Sequence, residues 1–347
     1  MNTKHLILNL NSNNTSKSIQ DSSVHLVVTS PPYPMIKMWD KSFSEQDKKI
    51  GDYLATKKFY KAFECMNLIL DKTWEDINRI LVPGGIVCIN IGDATRNCNK
   101  QFKLFSNHSR IIQKFLSMGF DVLPDIHWHK PTNSTNKFMG SGMYPTCAYV
   151  TYEHEYILIF RKGTNRKFNS DQKQIRKHSA YFWEERNMWF SDLWELKGTN
   201  QKMVNVKSRD RSAAFPFELA YRLINMYSIK GDYVYDPFVG TGTVIKAAIA
   251  SERNSIGAEI DKELCTQINN DLCSCKEKLN KYIVNRLDKH IQYIKSLSQK
   301  KKSKLYTNIK HNFSVKTRQE TEILISLINS IKKKNDIVYS TYKKNNE

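Results

Sequence analysis

The chain has 347 residues, of which 40% are hydrophobic, so it is long enough to bury a substantial core. Its 54 Lys and Arg residues outnumber 34 Asp and Glu residues, and the net charge of +20 favours a nucleic-acid partner over a protein merely rich in Lys. Seven scattered cysteines and the lack of a long apolar run exclude a disulfide-stapled secreted domain and a membrane protein, which leaves a cytoplasmic location as the expectation.

The first part of the chain, residues 1–162, alternates short apolar runs with longer helical patterns. The predicted strands are Val24–Val28, Ile86–Ile91 and Tyr156–Phe160, and the predicted helices are Phe59–Leu81 and Ser109–Leu116. Pro31 and Pro32 end the first strand, and Pro83-Gly84-Gly85 turns the chain into the second.

The periodic pattern stops between Gly163 and Ser212. This region holds 11 Lys and Arg residues against six Asp and Glu residues. Aromatic residues are interleaved with them, at Phe168, Tyr181, Phe182, Trp183, Trp189, Phe190 and Trp194. Basic side chains suit phosphates and aromatic rings suit bases, so these residues are candidates for contacts with nucleic acid.

Regular α/β character returns at Phe215. The predicted elements are a helix with Pro216 in its first turn, a strand over Tyr233–Tyr235, a helix over Val244–Ser251 and a strand over Ser255–Ile260. Because strands alternate with helices, the predicted fold class is α/β, with a mostly parallel sheet that carries helices on both faces.

The last part of the chain, residues 276–347, has 18 Lys and Arg residues against six Asp and Glu residues. Apolar residues recur with helical spacing at Leu279, Ile283, Leu287, Ile291 and Ile294. We therefore predict a basic, Lys-rich helical extension, which either adds to a DNA contact surface or is a solvated appendage. If it contacts DNA, deletion of residues 300–347 is expected to flatten the salt dependence of binding.

A proline-rich turn, Ser30-Pro31-Pro32-Tyr33, directly follows the first predicted strand. The prolines fix the backbone and remove two N–H donors, while Ser30 adds a hydroxyl where open α/β sheets bind ligands. Ser30 Oγ and the Pro31 carbonyl suit the two hydrogens of an exocyclic base amine, and the Tyr33 ring suits an unstacked base. The plainer alternatives are a structural loop or a ligand of a proline-binding domain.

A glycine-rich loop, Asp236-Pro237-Phe238-Val239-Gly240-Thr241-Gly242-Thr243, lies between a predicted strand and a predicted helix. Glycines there let the backbone approach a ligand, and the helix N-terminus adds N–H donors. A phosphate-binding loop would continue into Gly-Lys-Ser/Thr, which this loop lacks. Glu259 ends the next strand and suits ribose hydroxyls, with a solvated strand end as the alternative.

Together these residues resemble the amino-group DNA methyltransferases, which modify cytosine N4 or adenine N6. In that family an element like Ser30–Tyr33 is catalytic, and an element like Asp236–Thr243 binds S-adenosyl-L-methionine. The resemblance implies a Rossmann-like methyltransferase fold, and the order of the two elements resembles the permuted β arrangement. The implied catalytic residues are Ser30, Pro31, Pro32 and Tyr33, and the implied cofactor-binding residues are Phe215, Pro216, Asp236, Phe238, Gly240, Thr241, Gly242, Thr243 and Glu259.

The resemblance covers the chain from about residue 20 to residue 275. Further matching segments are Leu81–Asp93, Trp128–Pro131, His154–Tyr156 and Lys162. The resemblance implies a catalytic half at residues 1–162, a target-recognition region at 163–212 and a cofactor-binding half at 213–275, with residues 276–347 as the extension. Two departures are His25, where the family often has Asp, and Asn9-Leu10-Asn11, where it often has Gly-Asp.

Ser30 in place of Asp resembles the cytosine-N4 enzymes, so we expect a site-specific methyltransferase that flips cytosine out of double-stranded DNA. A restriction endonuclease on a separate chain is the expected partner. The alternatives are adenine-N6 methylation on the same scaffold and a basic nucleic-acid-binding protein without catalysis. No metal is expected, because His127, His129 and His154 fit structural or DNA-facing roles.

Overall fold

The computed structural model describes residues 2–15, 17–99, 101–130, 139–198 and 215–344. Pro131, residues 199–212 of the predicted recognition region, and residues 213–214 lie outside this range. The strands are β1 (Asn2–Asn9), β2 (Val24–Thr29), β3 (Leu81–Ile91), β4 (Ala94–Cys98), β5 (Gln101–Phe105), β6 (Phe120–His129), β7 (Met139–Gly140), β8 (Ala148–Tyr149), β9 (His154–Lys162), β10 (Leu193–Glu195), β11 (Tyr233–Asp236), β12 (Asn254–Glu259), β13 (Tyr306–Thr307), β14 (Ser314–Val315), β15 (Ser326–Lys334) and β16 (Ile337–Lys344).

The helices are α1 (Asp40–Gln46), α2 (Lys48–Ala55), α3 (Phe59–Ile80), α4 (Asn107–Ser117), α5 (Ser170–His178), α6 (Trp183–Trp189), α7 (Phe217–Tyr227), α8 (Thr243–Ala250), α9 (Lys262–Ser274), α10 (Lys276–Ser296) and α11 (Gln299–Lys302). Short 3-10 turns occur at Lys37–Trp39 and Arg318–Glu320. Within the described ranges, none of the helices has the length and apolar character needed to cross a membrane.

Ten strands form one sheet in the order β10-β6-β9-β3-β2-β11-β12-β1-β16-β15. Five of its nine neighbouring pairs are parallel, and four of these join β3, β2, β11, β12 and β1 into a central block. Helices α7 to α10 pack against one face, and helices α1 to α4 pack against the other. The predicted α/β class, with a mostly parallel sheet and helices on both faces, is therefore confirmed.

The connections of the sheet change direction between β2 and β11, which are parallel neighbours with Leu26 opposite Val234. From β2 the chain passes through α3 to β3 on one side, and from β11 it passes through α8 to β12 on the other. Open α/β sheets bind ligands at the carboxyl ends of the strands at such a switch point. The fold therefore places the proline-rich turn and the glycine loop, which follow β2 and β11, at the expected ligand crevice.

Most elements predicted from apolar spacing are present, but β1 was missed. Its inward face carries the polar residues Thr3 and His5, so the alternation that signals a strand is hidden. These side chains are satisfied inside the sheet: His5 lies 2.8 Å from Thr3 Oγ1 through Nε2, and 2.8 Å from Ser255 Oγ through Nδ1. Burial of a hydrogen-bonded polar strand leaves little trace in a hydrophobicity pattern.

The C-terminal part differs from the predicted helical extension. The helical spacing is realised as α10, but β15 and β16 form a hairpin that joins the main sheet through β1. The run Lys332–Lys334 masks the strand pattern, although Ile328 and Val338 of the hairpin are fully buried. The predicted helical extension is therefore correct for α10 and wrong for the hairpin of β15 and β16. Deletion of residues 300–347 would remove part of the core and cannot test DNA contact by itself.

The region 163–212 is split between the two edges of the sheet. Because β9 is antiparallel to β3, its end at Lys162 brings the chain to the amino edge, opposite the crevice. There Arg166 pairs with Asp232, at 2.6 Å, and Ser179 Oγ accepts from the Lys230 backbone N–H, at 2.9 Å. Among the described residues of this region, β10, which is parallel to β6, returns to the crevice edge. Residues 163–179 therefore lie away from the crevice, and the role of 163–212 in target recognition stays a prediction.

Three of the aromatic residues that suggested base contacts belong to the core. Phe182, Trp189 and Trp194 are buried among the helices that cover one face of the sheet. Trp194 Nε1 donates to the Trp189 carbonyl at 3.1 Å, which ties β10 to α6. These three rings therefore serve packing and cannot stack on bases, whereas Trp183 and Phe190 are 42% and 40% exposed.

We expect Ile328→Ala to destabilise the whole protein, because it would leave a cavity in the core that the hairpin shares with the sheet. The free energy of unfolding should fall by about 2–4 kcal/mol, as measured by urea denaturation. Ile309, which is 69% exposed, provides a matched control, and Ile309→Ala should cost less than about 0.5 kcal/mol. An equally small effect of both variants would mean that the hairpin is an independent appendage.

Candidate active site

The proline-rich turn gathers several polar groups at the carboxyl end of β2. Ser30 Oγ lies 3.1 Å from the Tyr33 hydroxyl, which donates to Glu155 Oε2 at 2.9 Å. Asn90 donates through Nδ2 to the Tyr33 hydroxyl at 2.8 Å and to Glu155 Oε2 at 2.6 Å. Lys130 forms an ion pair with the other carboxylate oxygen of Glu155. The Tyr33 hydroxyl is therefore held by three neighbours.

The Tyr33 ring lies close to the end of β3. A Cβ atom at Gly92 would stand 3.1 Å from Tyr33 Cε2 and 3.3 Å from Glu155 Cγ, so glycine allows the ring and the carboxylate to approach. Burial, together with the charge of Glu155, raises the pKa of Tyr33 well above its usual range. Tyr33 therefore keeps its proton and remains a donor to Glu155.

A buried hydrogen bond joins the two motifs. Thr29 ends β2 and donates its hydroxyl to Asp236 Oδ1 at 2.7 Å, and the Phe238 backbone N–H donates to the same atom at 3.1 Å. Burial raises the pKa of Asp236 to about 7 against the effect of these hydrogen bonds, and the charge of Glu259 adds to the rise. The aspartate therefore fixes the start of the glycine loop while remaining poorly suited to carry a charge.

The glycine loop is also tied to the end of β12. The Gly240 N–H donates to Glu259 Oε2 at 3.2 Å, and the Asp261 N–H donates to Oε1 at 3.1 Å. Gly240 and Gly242 have φ values of +54° and +76°, which glycine adopts without steric cost. At Gly242 a Cβ atom would in addition stand 2.8 Å from Ile268 Cγ2. These contacts determine the path of the loop.

The two motifs border one cleft of about 740 Å³ at the carboxyl edge of the sheet, a size that suits a small-molecule site. The predicted site residues that line it are Ser30, Pro31, Pro32, Tyr33, Phe215, Asp236, Phe238, Gly240, Thr241, Thr243 and Glu259. Pro216 and Gly242 do not line the cleft. They occupy the N-cap positions of α7 and α8, next to residues that line the cleft.

A wall of the cleft comes from a segment that the sequence pattern did not predict. Its lining residues belong to the first 3-10 turn and to α1: Met38, Trp39, Ser42, Phe43, Glu45 and Gln46. Arg96 holds this segment through an ion pair with Asp40 and through Nε, which donates to the Met35 carbonyl at 2.5 Å. Helix α1 has only seven residues, too few for a helical period to be visible in the sequence.

Three polar residues of the site were not predicted as site residues. Glu155 and Lys130 were noted only within segments that resemble a family, and Asn90 was not singled out. A signal was present, since Asn90 interrupts the apolar run of β3 and Glu155 immediately precedes that of β9. The antiparallel pairing of these strands, with Ile91 opposite Tyr156, then brings the two polar residues together.

The two departures from the family pattern lie in different places. His25 is at the amino edge, where its Nδ1 accepts a hydrogen bond of 3.1 Å from the backbone at the start of β11. Asn9 is at the cleft edge, and its Nδ2 donates to two backbone carbonyls at the end of β12, at 3.0 and 3.1 Å. Leu10 and Asn11 line the cleft. The first strand therefore contributes to the site, whereas His25 does not.

The three histidines cluster at the ends of β6 and β9. The rings of His127 and His154 stack at 5.2 Å, and His129 Nε2 lies 3.8 Å from the Glu153 carboxylate. Burial lowers the pKa of His154, and repulsion from His127 lowers it further. Across the described part of the chain, no group of three or more His, Cys, Asp and Glu side chains is arranged to hold a metal ion.

Comparison with known proteins identifies a family. Residues 24–270 match the model of the N6/N4 methyltransferase family, whose description is DNA methylase. The chain is 46% identical to the Type II methyltransferase M.MthZI of Methanothermobacter thermautotrophicus over 336 residues, which cover 96% of this chain and 93% of that protein. It is 52% identical to the Type II methyltransferase M.MjaI of Methanocaldococcus jannaschii over 257 residues, which cover 71% of this chain and 84% of that protein.

Two solved structures share the fold. TTHA0409 from Thermus thermophilus, in complex with S-adenosyl-L-methionine, has a TM-score of 0.58 and 29% identity, with 80% of this chain and 95% of that chain covered. The PvuII DNA methyltransferase (cytosine-N4-specific) has a TM-score of 0.50 and 18% identity, with 76% and 85% covered. At 18% identity, the similarity to the PvuII enzyme shows a shared fold and nothing more.

We expect Asp236→Asn to change how stability depends on pH. The pKa of Asp236 is raised to about 7 in the folded protein, whereas an unfolded Asp ionises near about pH 4. Between these values the folded state binds the additional proton, so wild-type stability falls as pH rises, and the penalty is complete above about pH 7. The Asn side chain has no such penalty and keeps an oxygen that accepts from Thr29.

The unfolding free energy of Asp236→Asn relative to wild type should therefore rise between about pH 4 and pH 7, as measured by urea denaturation at several pH values. Asp336→Asn, at an exposed position in the C-terminal hairpin, is the matched control. A constant difference between Asp236→Asn and wild type across this range would contradict the raised pKa.

Proposed function

Because the chain belongs to the DNA methylase family, we propose that it transfers a methyl group from S-adenosyl-L-methionine to the N4 amine of cytosine in double-stranded DNA. The observation that carries this proposal is the adjacency of the two motifs. Ser30–Tyr33 and Asp236–Thr243 border one cleft, and the hydrogen bond from Thr29 to Asp236 fixes one motif against the other. A methyl donor and an unstacked base would meet between them.

The residues on the β11 side of the cleft suit S-adenosyl-L-methionine. The Glu259 carboxylate lines the cleft and accepts from the Gly240 and Asp261 backbone N–H groups, and its oxygens would also accept from the ribose hydroxyls. The backbone at Gly240 and Thr241 would lie against the nucleoside, and Phe215 and Phe238 supply apolar walls. The other proposed cofactor residues, which support this surface, are Pro216, Asp236, Gly242 and Thr243. When bound, the cofactor supplies an electrophilic methyl group.

The residues on the β2 side suit an exocyclic amine. Ser30 Oγ and the Pro31 carbonyl would accept its two hydrogens, which draws the nitrogen lone pair out of the ring system and toward the methyl group. Pro32 keeps the turn rigid, and the Tyr33 ring would support the flipped base. Stacking of this kind contributes about 1–3 kcal/mol per base and offsets part of the cost of base flipping.

The choice of cytosine N4 rests on Ser30. The cytosine-N4 enzymes of the family resemble this chain in having Ser at the first position of the catalytic element. Adenine-N6 methylation would use the same cleft and the same acceptors, and it is the alternative that sequencing of modified DNA distinguishes.

We assign residues 1–162 to the catalytic half and residues 213–275 to the cofactor-binding half. Within 163–212, we keep the recognition role for the part that begins at β10, a strand that itself reaches the cleft edge. The segment between β6 and β9 adds candidates at this edge, because Met143, Tyr144 and Val150 are 87%, 77% and 82% exposed. Large apolar side chains left in water beside a base-binding cleft suit contact with a distorted duplex.

The names of two relatives support a biological setting for this activity. M.MthZI and M.MjaI are both named Type II methyltransferases, which supports a role in a restriction-modification system with a restriction endonuclease on a separate chain. The net charge of +20 fits a duplex DNA substrate, whose phosphates release counterions when Lys and Arg side chains bind them.

We expect Ser30→Ala to reduce modification strongly, because one of the two proposed acceptors of the base amine is lost. In single-base modification sequencing of DNA from expressing cells, wild type should give N4-methylcytosine at one motif, and Ser30→Ala should lower it at least about 100-fold. Ser117→Ala, at an exposed position on α4, is the matched control and should leave the modification unchanged. Methyladenine at a motif would replace cytosine as the target, and unmodified DNA with wild type would overturn the proposal.

We expect Glu259→Gln to weaken the binding of S-adenosyl-L-methionine about 10- to 100-fold, since hydrogen bonds to a charged acceptor contribute about 1.5–3 kcal/mol. Isothermal titration calorimetry without DNA measures this affinity. Glu263→Gln, on the exposed side of the neighbouring helix α9, is the matched control and should bind like wild type. Equal affinities for all three proteins would remove Glu259 from the cofactor site.

A further inference from the structure

The hydrogen bonds around Tyr33 form a chain with a fixed direction. The Tyr33 hydroxyl has a single hydrogen, which it donates to Glu155 Oε2 at 2.9 Å. The contact of 3.1 Å between Ser30 Oγ and the Tyr33 oxygen must then be donated by Ser30. Asn90 Nδ2 donates to the same Tyr33 oxygen at 2.8 Å and reinforces this direction. Ser30 is left with lone pairs only, so it faces the cleft as an acceptor.

We propose that Glu155 is a positioning residue of the methyl transfer, which orients the Ser30 hydroxyl as an acceptor for the base amine and takes up the amine proton through Ser30 and Tyr33. This inference rests on the proposed function, because the chain of hydrogen bonds begins at the oxygen that would contact the amine. It assigns to Glu155 a role that extends beyond holding the Tyr33 ring.

The proton movement balances without any further reactant. The amine nitrogen bonds to the methyl carbon as the bond from that carbon to sulfur breaks, and the nitrogen then carries one proton too many. That proton moves to Ser30 Oγ, the hydrogen of Ser30 moves to the Tyr33 oxygen, and the hydrogen of Tyr33 moves to Glu155 Oε2. The electron pair of the broken N–H bond stays on nitrogen. Ser30 and Tyr33 each end with one proton, their hydrogen bonds now pointing the opposite way, and Glu155 ends as a neutral acid.

The surroundings of Glu155 suit a group that gains and loses a proton. The titratable groups facing it are Lys130, from the end of β6, and Tyr33, from the turn after β2, while β3 contributes the uncharged Asn90. The Lys130 ammonium also lies 4.2 Å from the centre of the Trp128 ring, which helps to keep it beside the carboxylate. Glu155 and Lys130 both line the cleft, so the proton can pass from Glu155 to water.

In this proposal Tyr33 passes a proton from Ser30 to Glu155 and does not remain as a tyrosinate. Burial holds its pKa well above its usual range, so a tyrosinate is not formed at ordinary pH. A Gln at position 155 would behave differently from Glu, because its amide can donate to the Tyr33 oxygen. The hydrogen bonds would then run in the opposite direction. The Ser30 hydroxyl could point its hydrogen at the base amine, although Ser30 has to accept a hydrogen bond from that amine.

The test is the pH profile of single-turnover methyl transfer by the full-length protein on a duplex that contains the motif found by sequencing. We expect the wild-type rate to fall toward acidic pH, because the relay needs an unprotonated acceptor at its end. Glu155→Gln should be at least about tenfold slower near neutral pH and should lose this acidic limb, and Glu155→Asp should regain part of both. Glu153→Gln, just before the start of the same strand and half exposed, is the matched control.

Two further measurements separate this role from a purely structural one. The fluorescence of 2-aminopurine at the target position reports base flipping, and it should be unchanged in Glu155→Gln. Tyr33→Phe keeps the ring but breaks the relay, so the double variant Tyr33→Phe, Glu155→Gln should be no slower than the slower single variant.

The outcomes distinguish this inference from the proposed function. If wild type methylates no DNA, the proposed function fails and this inference fails with it. If wild type methylates DNA but Glu155→Gln keeps the acidic limb, or if the two single effects simply add, Glu155 does not act through Ser30 and Tyr33. Loss of base flipping in Glu155→Gln would likewise overturn the inference, since the residue would then only support the ring.

Discussion

Thr29 and Asp236 end two neighbouring strands, and the hydrogen bond of 2.7 Å between their side chains holds the two halves of the site together across 207 residues of sequence. Because β2 and β11 are parallel neighbours at the switch point, this bond fixes the base side of the cleft against the cofactor side. Its burial makes the bond resistant to water, and the same burial raises the pKa of Asp236. Burial at this point of the site therefore both stabilises the position of Asp236 and raises its pKa.

The cleft contains a second carboxylate in a contrasting environment. Asp236 is held by a hydroxyl and a backbone N–H, whereas Glu155 is held by the Lys130 ammonium and by an amide. Carboxylates whose surroundings differ in this way take different tasks in one site. Asp236 shapes the loop that would carry the methyl donor, and Glu155 is the carboxylate that we propose as the proton acceptor.

The elements that could be predicted from the sequence are those set by neighbouring residues along the chain. Central parallel strands are buried on both faces and appear as apolar runs, and the prolines and glycines of the two motifs follow such runs directly. By contrast, β1 hides Thr3 and His5 in the sheet, and the Lys332–Lys334 run conceals β15. The aromatic residues of 163–212 gave a misleading signal, because composition cannot tell a buried Trp194 from one that stacks on a base.

The position of Glu155 just before the apolar run of β9 is a weak signal, because the sequence does not show the direction of that strand and hence the edge of the sheet at which Glu155 lies. In the parallel block, only residues at the carboxyl ends of strands reach the cleft edge. Strand β9 runs antiparallel to β3, so its first residues reach that same edge. The antiparallel direction of β9 thus places the Glu155 carboxylate opposite Tyr33, and the proline-rich turn does not need to be longer. The rigidity of that turn and the proton acceptor beyond it are therefore supplied by separate parts of the chain.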